Sequence, residues 1–162
     1  MTNTRRRRVE LLILEDVQFD IENNTRDTAF FINNDETDNL KVSLDVTCQK
    51  NQFRGEVVTP SLVSNWHETH ARNSQELVGK IFEVENIEAA DKREDTFYLY
   101  EHEPLVKYQL EILGIEENKV HVICEGISVI DGYSTPSTTA DFKIDCYLPI
   151  ITGKDDWAKH GL

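Results

Sequence analysis

The residues that come nearest to carrying chemistry are Trp66, His67, Glu68, Thr69 and His70, with two histidines three apart and a carboxylate between them. On a helix that spacing shares one face and suggests metal-assisted hydrolysis. The zinc-protease helix, however, needs its histidines four apart, the glutamate directly after the first, and a third ligand elsewhere. The spacing here is one short and no strong third ligand stands out, so the pair reads as histidines of a polar segment. Serine chemistry has less support. Gly126-Ile127-Ser128 lacks the second glycine of a nucleophile elbow, and Ser128 falls within a strand pattern. The stretch 131–139 is a polar loop, and the seven glycines never cluster as a phosphate-binding loop demands. Asn33, Asn34, Asp35, Glu36, Thr37 and Asp38 offer oxygen ligands without the glycine and distal glutamate of a calcium loop, which fits an acidic surface turn. With thirty Asp and Glu in the chain, chance proximity of carboxylates is expected, and no pair is singled out as general acid and base. No catalytic residue, metal ligand or cofactor is therefore expected, and the chain does not read as an enzyme.

The three cysteines, Cys48, Cys124 and Cys146, form no CxxC pair and lie on the apolar phase of alternating segments. They read as small buried hydrophobes suited to a reducing cytoplasm. Asn23-Asn24-Thr25 is a glycosylation sequon, which carries little weight without an export signal. Arg5, Arg6, Arg7 and Arg8 precede an apolar stretch as in a signal peptide. Glu10 interrupts that stretch, Glu15 and Asp16 close it, and no small-residue cleavage site follows. Residues 1–8 read as a flexible basic leader and 9–162 as a single domain.

Charge is the informative feature. Thirty acidic residues against seventeen basic ones leave a formal net charge of −13. A general nucleic-acid binder needs a basic face, so that class is disfavoured, and no apolar run approaches a membrane span. Residues 83–103 carry eight acids against Lys92 and Arg93, and residues 15–38 another eight against Arg26 alone. Phe97, Tyr98, Tyr100 and Tyr108 accompany the first of these runs. Such a surface either solvates the protein or, with tyrosines as anchors, holds a basic partner. Glu88, Asp91, Glu94, Asp95, Tyr98, Tyr100, Glu101 and Glu103 are the expected contact residues, with the first four in a loop.

Period-two alternation supplies the scaffold. Leu40, Val42, Leu44, Val46 and Cys48 alternate with polar neighbours, as do Val106, Tyr108, Leu110 and Ile112, and Phe142, Ile144, Cys146 and Leu148. Val17, Phe19 and Ile21 form a further strand, and one beginning at Val120 runs long and bends at Gly126. Weaker strands are expected at 9–14, 28–32, 54–58, 80–85 and 96–100. Turns at 114–119 and 50–52 favour antiparallel hairpins, with Asn118 left-handed. Helix is expected chiefly at residues 60–79, as one or two short helices capped by Ser64 and stopped by Gly79. Asp155 to His160 form a helical turn docking Trp157. The expected fold is mainly β, or α+β: an antiparallel sheet, sandwich or partly closed barrel of about eight to ten strands. The functional expectation is a cytoplasmic immunity or antitoxin-type inhibitor that blocks a basic toxin domain, a nuclease above all, since such a toxin must itself be basic to hold phosphate. The alternative is a small-molecule or lipid carrier with a barrel cavity.

Overall fold

The computed structural model describes residues 10–133 and 138–162; the arginine leader lies outside them. Twelve strands follow in chain order: β1 (Leu11–Leu14), β2 (Val17–Asp20), β3 (Ala29–Asn34), β4 (Leu40–Thr47), β5 (Asn51–Phe53), β6 (Glu56–Val58), β7 (Ser61–Glu68), β8 (Ile81–Val84), β9 (Thr96–Tyr98), β10 (His102–Glu116), β11 (Lys119–Asp131) and β12 (Thr138–Ile151). Two short helices, α1 (Ile87–Lys92) and α2 (Asp156–Lys159), complete the set with a 3-10 turn at Ser74–Leu77. Neighbours run β11-β10-β9-β7-β4-β3-β12, and β12 pairs back onto β11, which closes a seven-stranded barrel. β1 and β2 extend the sheet beyond β12, β8 pairs with β10, and β5–β6 form a separate hairpin. The pairings between these strands are antiparallel except β12 with β3, which are far apart in sequence and meet at Ile150–Phe30 and Ile151–Phe31.

The long strands follow the alternation. Leu110, Cys124 and Ile144 stand in register across β10, β11 and β12, as do Ile112, Val122 and Cys146. All six are buried. Two-residue turns join the hairpins: Glu117 and Asn118 between β10 and β11, and Arg54 and Gly55 between β5 and β6, all at positive φ. These are the left-handed conformations that match the twist of paired strands. The second turn therefore falls at Arg54 and Gly55, later than the expected 50–52, because Asn51 to Phe53 are themselves paired. Gly126 has a steric role. A Cβ there would lie 2.6 Å from the Tyr108 Cα, where β10 shifts register between Leu105 and Lys107. The glycine lets β10 close onto β11 at that bulge. At the C-terminal end Trp157 meets Phe31 edge-on at 6.1 Å under Arg26, as the expected docking turn requires. Among the described residues, no helix is long and apolar enough to cross a membrane.

The expected helical region is the main correction. Residues 61–68 are strand β7, and the helix shrinks to the turn Ser74–Leu77, capped by Asn73 rather than Ser64 and followed by Gly79 at φ 89°. The reason is that two inward positions of β7 are polar, Ser64 and His67, and both are buried. Their partners come from elsewhere in the chain, so an apolar alternation test passes over them. α1 is the converse case. Residues 88–91 were expected in a loop, but the Asn86 side chain accepts from the Ala89 N–H at 2.9 Å and starts a turn and a half of helix.

Two outcomes test this packing. Gly126→Ala is expected to destabilise the fold by about 1–3 kcal/mol, read by chemical denaturation, because the adjacent strand backbone has no room to yield. All three cysteines are free and buried, and burial pushes the Cys48 thiol up to about 12, with Asp20 adding to it. The native protein should therefore react with a thiol reagent far more slowly than the unfolded chain; fast labelling of all three would contradict the strand phases.

Candidate functional site

A buried polar cluster sets the geometry of the acidic segment. Asp95 is 1% exposed. Its Oδ2 accepts from Arg93 Nε at 2.8 Å and from the Tyr108 hydroxyl at 2.6 Å, and its Oδ1 accepts from the Asn65 N–H at 2.7 Å. Arg93 also donates to the carbonyl oxygens of Asn65 and Trp66, at 2.6 and 3.0 Å. Two side chains thus satisfy the edge of β7 beyond the three residues that pair with β9. His67 Nε2 lies 3.0 Å from Arg93 Nη2 and 2.8 Å from Ser64 Oγ. A guanidinium only donates, so this Nε2 is the acceptor and the ring is neutral. Burial, with the Arg93 charge beside it, lowers His67 to about 3. Burial and the hydrogen bond to Asp95 push the Tyr108 phenol upward. The Ser64 hydroxyl and His67 ring are in contact, but Ser64 is fully buried. That arrangement knits strands together and leaves no approach for a substrate. Among the described residues no group of three His, Cys, Asp or Glu is placed to hold an ion, His67 being taken up by Ser64 and Arg93. In the 33–38 turn, Asp35 Oδ1 is taken up by Thr37 and Asn39.

The concave feature that gathers the expected contact residues lies at the barrel end where β9 passes into β10 and β11 stops before β12. It is a cleft of about 530 Å³ lined by Arg54, Glu56, Tyr100, Glu101, Glu103, Ile130, Asp131, Tyr133 and Thr138. Four carboxylates face one guanidinium, and that guanidinium is held by Glu15 at 2.6 Å outside the cleft. Tyr133 is 81% exposed and Tyr100 is at the border of exposure. Both phenols are raised, Tyr133 by its hydrogen bond to Glu101, and Tyr100 by burial and the Glu56 carboxylate. Exposed Val57 and Tyr98 lie on β6 and β9, in the segments that form the same end. Glu103 braces the far wall by accepting from the Gly132 N–H at 3.3 Å.

The expected residues therefore divide. Tyr100, Glu101 and Glu103 come together in the cleft. Tyr98 stands on β9 against His102, with ring centroids 5.0 Å apart. Glu88, Asp91 and Glu94 lie on and just after α1 and do not line the cleft. Asp95 leaves the surface set altogether, because its carboxylate is spent inside the fold. Arg54, Glu56, Asp131 and Tyr133 were missed, being tens of residues away in sequence. Turn chemistry at Arg54-Gly55 and Asp131-Gly132 was their only local signal. No family model, curated protein or solved structure matches this chain. Its functional reading rests on the site itself.

The titrations give a test with opposite signs. The unfolded chain protonates His67 near 6.5, the folded one only near 3, so this group's stability is full above pH 6.5 and is lost as pH falls. Asp45 is raised to about 6 by burial and by Asp27, so its contribution is greatest below 3.8 and is lost as pH rises through 6. Between about pH 4 and 6 the two slopes oppose, each about 1.4 kcal/mol per pH unit at most. His67→Gln should make acid stabilising in that window, and Asp45→Asn should make it destabilising, as read by denaturant unfolding at several pH values. Shifts of the same sign in both variants would refute the assignment. Separately, Asp95→Ala should cost about 3–5 kcal/mol, since it strands Arg93 in a partly buried site, whereas Glu88→Ala should change stability by under about 0.5 kcal/mol.

Proposed function

We propose that this protein is a small acidic binding protein, an inhibitor of the immunity or antitoxin type that blocks a basic toxin domain, with a nuclease the expected partner. The cleft carries the reading. Two tyrosines stand among Glu56, Glu101, Glu103 and Asp131, and the neighbouring guanidinium is already paired with Glu15. A nuclease must present lysines and arginines to hold phosphate, and carboxylates fixed at a rim occupy the same positions a phosphate would. The net charge of −13 adds long-range attraction that speeds capture. Tyrosines supply contact area at little entropic cost, which is the composition of interface anchors.

The carrier reading draws on the closed barrel, but one contact weighs against it. Phe97 of β9 and Phe142 of β12, strands on opposite sides of the ring, stack at 5.8 Å, and both are buried. Side chains that meet across the interior favour a filled core over a ligand chamber.

The test is capture at low salt followed by assay of the captured protein. The expected result is a basic protein whose nuclease activity falls when this protein is added back. Tyr100→Ala should weaken binding by about 2 kcal/mol or more. Reversing Glu88, Asp91 and Glu94 together to lysine should slow association at low salt and little at high salt. Asp95 is left out of that variant, since its reversal would unfold the segment. A captured partner unaffected by Tyr100→Ala, or one that is itself acidic, would overturn the reading.

A further inference from the structure

β8 ends its side of the sheet. It pairs with β10 from Ile81–Glu111 to Val84–Tyr108, on the same edge as β9. Among the described residues no strand pairs with its other edge, on which side the His67 ring of β7 meets Phe82 at 5.0 Å. The Ile112 N–H donates to the Lys80 carbonyl at 3.0 Å, which sets the alternation. Lys80, Phe82 and Val84 turn their backbone groups to β10, so Ile81 and Glu83 turn theirs to the free edge. The outward side chains there are Ile81 at 52% exposure and, beyond it, Glu83. Val78 and Leu113, also exposed, flank Ile81 at the start of the strand, where Gly79 bonds Ile112. Beside β8 a groove of about 390 Å³ runs across β8, β10 and β11, with Gly126 among its lining residues. Its surface is mainly apolar, and Glu83, Glu85 and Glu125 line it against Lys107.

We propose that the free edge of β8 and this groove form a second docking site, for an extended segment of a basic protein added as an antiparallel strand. Each observation selects part of that occupant. Unpaired N–H and C=O groups on Ile81 and Glu83 accept a strand, since edge backbone is a template for pairing. Residues directly opposite share a face, so the added strand sets a cation against Glu85, another against Glu83 and an apolar residue against Ile81. Read from its N-terminus, the segment has the pattern cation, any, cation, any, apolar. The long basic side chains then lie beside Glu83 and Glu85, which form the near rim of the groove. A second copy of this chain is disfavoured, because two molecules each at −13 repel. The site stands apart from the acidic cleft, which lies at the opposite end of β10 from Leu113, and does not depend on the toxin-inhibitor reading.

The experiment titrates the isotope-labelled full chain with acetyl-TRTRTVT-amide at low salt, following amide shifts and hydrogen exchange. Saturable binding is expected, with shifts centred on Ile81 to Glu85 and slowed exchange of the Ile81 and Glu83 amides. Glu83→Lys with Glu85→Lys, both at exposed positions, should weaken binding by about tenfold or more while leaving the rest of the spectrum unchanged. A peptide N-methylated at the residues facing Ile81 and Glu83 keeps its charge but cannot pair, and it should lose binding. Absence of saturable binding, shifts confined to Tyr100, Glu101 and Tyr133, or equal binding by the N-methylated peptide would each overturn the proposal. Tyr100→Ala should leave peptide binding unchanged, so this test and that of the cleft fail separately.

Discussion

The fold hinges on one partly buried ion pair, Arg93 with Asp95, which acts as a strand where there is no strand. β9 pairs with β7 over only three residues, Ser61 to Val63. Beyond them β7 continues as an edge without a strand partner, and its amide and carbonyl groups at Asn65 and Trp66 are met by Asp95 and Arg93. A backbone group left unpaired in such a place costs about 1–3 kcal/mol. The pair satisfies three of them, while its charges are compensated by each other and by Tyr108. The cluster then spreads to His67 and Ser64, so the seam between β7 and β10 is closed by side chains. This explains why polar residues occupy inward positions that elsewhere in the barrel hold Leu, Val or Phe.

The same pair places the acidic segment. Because Asp95 is anchored, the turn that follows α1 is held against β7, and Glu88, Asp91 and Glu94 are displayed on a fixed surface rather than a loose loop. The contrast with Glu15 and Arg54 is one of dielectric. That pair is as close, at 2.6 Å, but both partners are about 40% exposed, and an exposed pair contributes about 0–1 kcal/mol. Its consequence is local: it pairs the one guanidinium lining the cleft with a carboxylate outside it, so that four carboxylates face one already paired cation there. Charge excess of this kind governs which partners are attracted and how fast, while the barrel decides where it is displayed.

Much of the architecture is legible in the sequence because apolar alternation reports which face of a strand is wet. It identified β4, β10, β11 and β12, while turn chemistry pointed to the left-handed Asn118 and the tail composition to the docking of Trp157. It failed at β7, where the inward face is partly polar, and at α1, where a six-residue helix lies within a run of charge. At β7 the local pattern was outweighed by partners distant in the chain, Tyr108 and Arg93 for Ser64 and His67, and at α1 by a local cap, the Asn86 side chain on the Ala89 N–H. For the site, composition pointed to the segment carrying Tyr100, Glu101 and Glu103. It also swept in Asp95, since a buried carboxylate and a solvated one look identical as letters.

By itself, then, the sequence determined the chemical character of this protein: a strand-rich chain with free thiols on its apolar phases and a large negative charge. These are properties of composition and of a two-residue period, which local chain geometry converts directly into faces. The tertiary structure alone decided that the barrel closes, that Asp95 turns inward while its neighbours face water, and that Glu56, Glu101, Glu103 and Asp131 share one cleft. Those outcomes depend on which strands pair across tens of residues, and pairing is set by the joint satisfaction of backbone groups and buried side chains over the whole chain, which no local window contains.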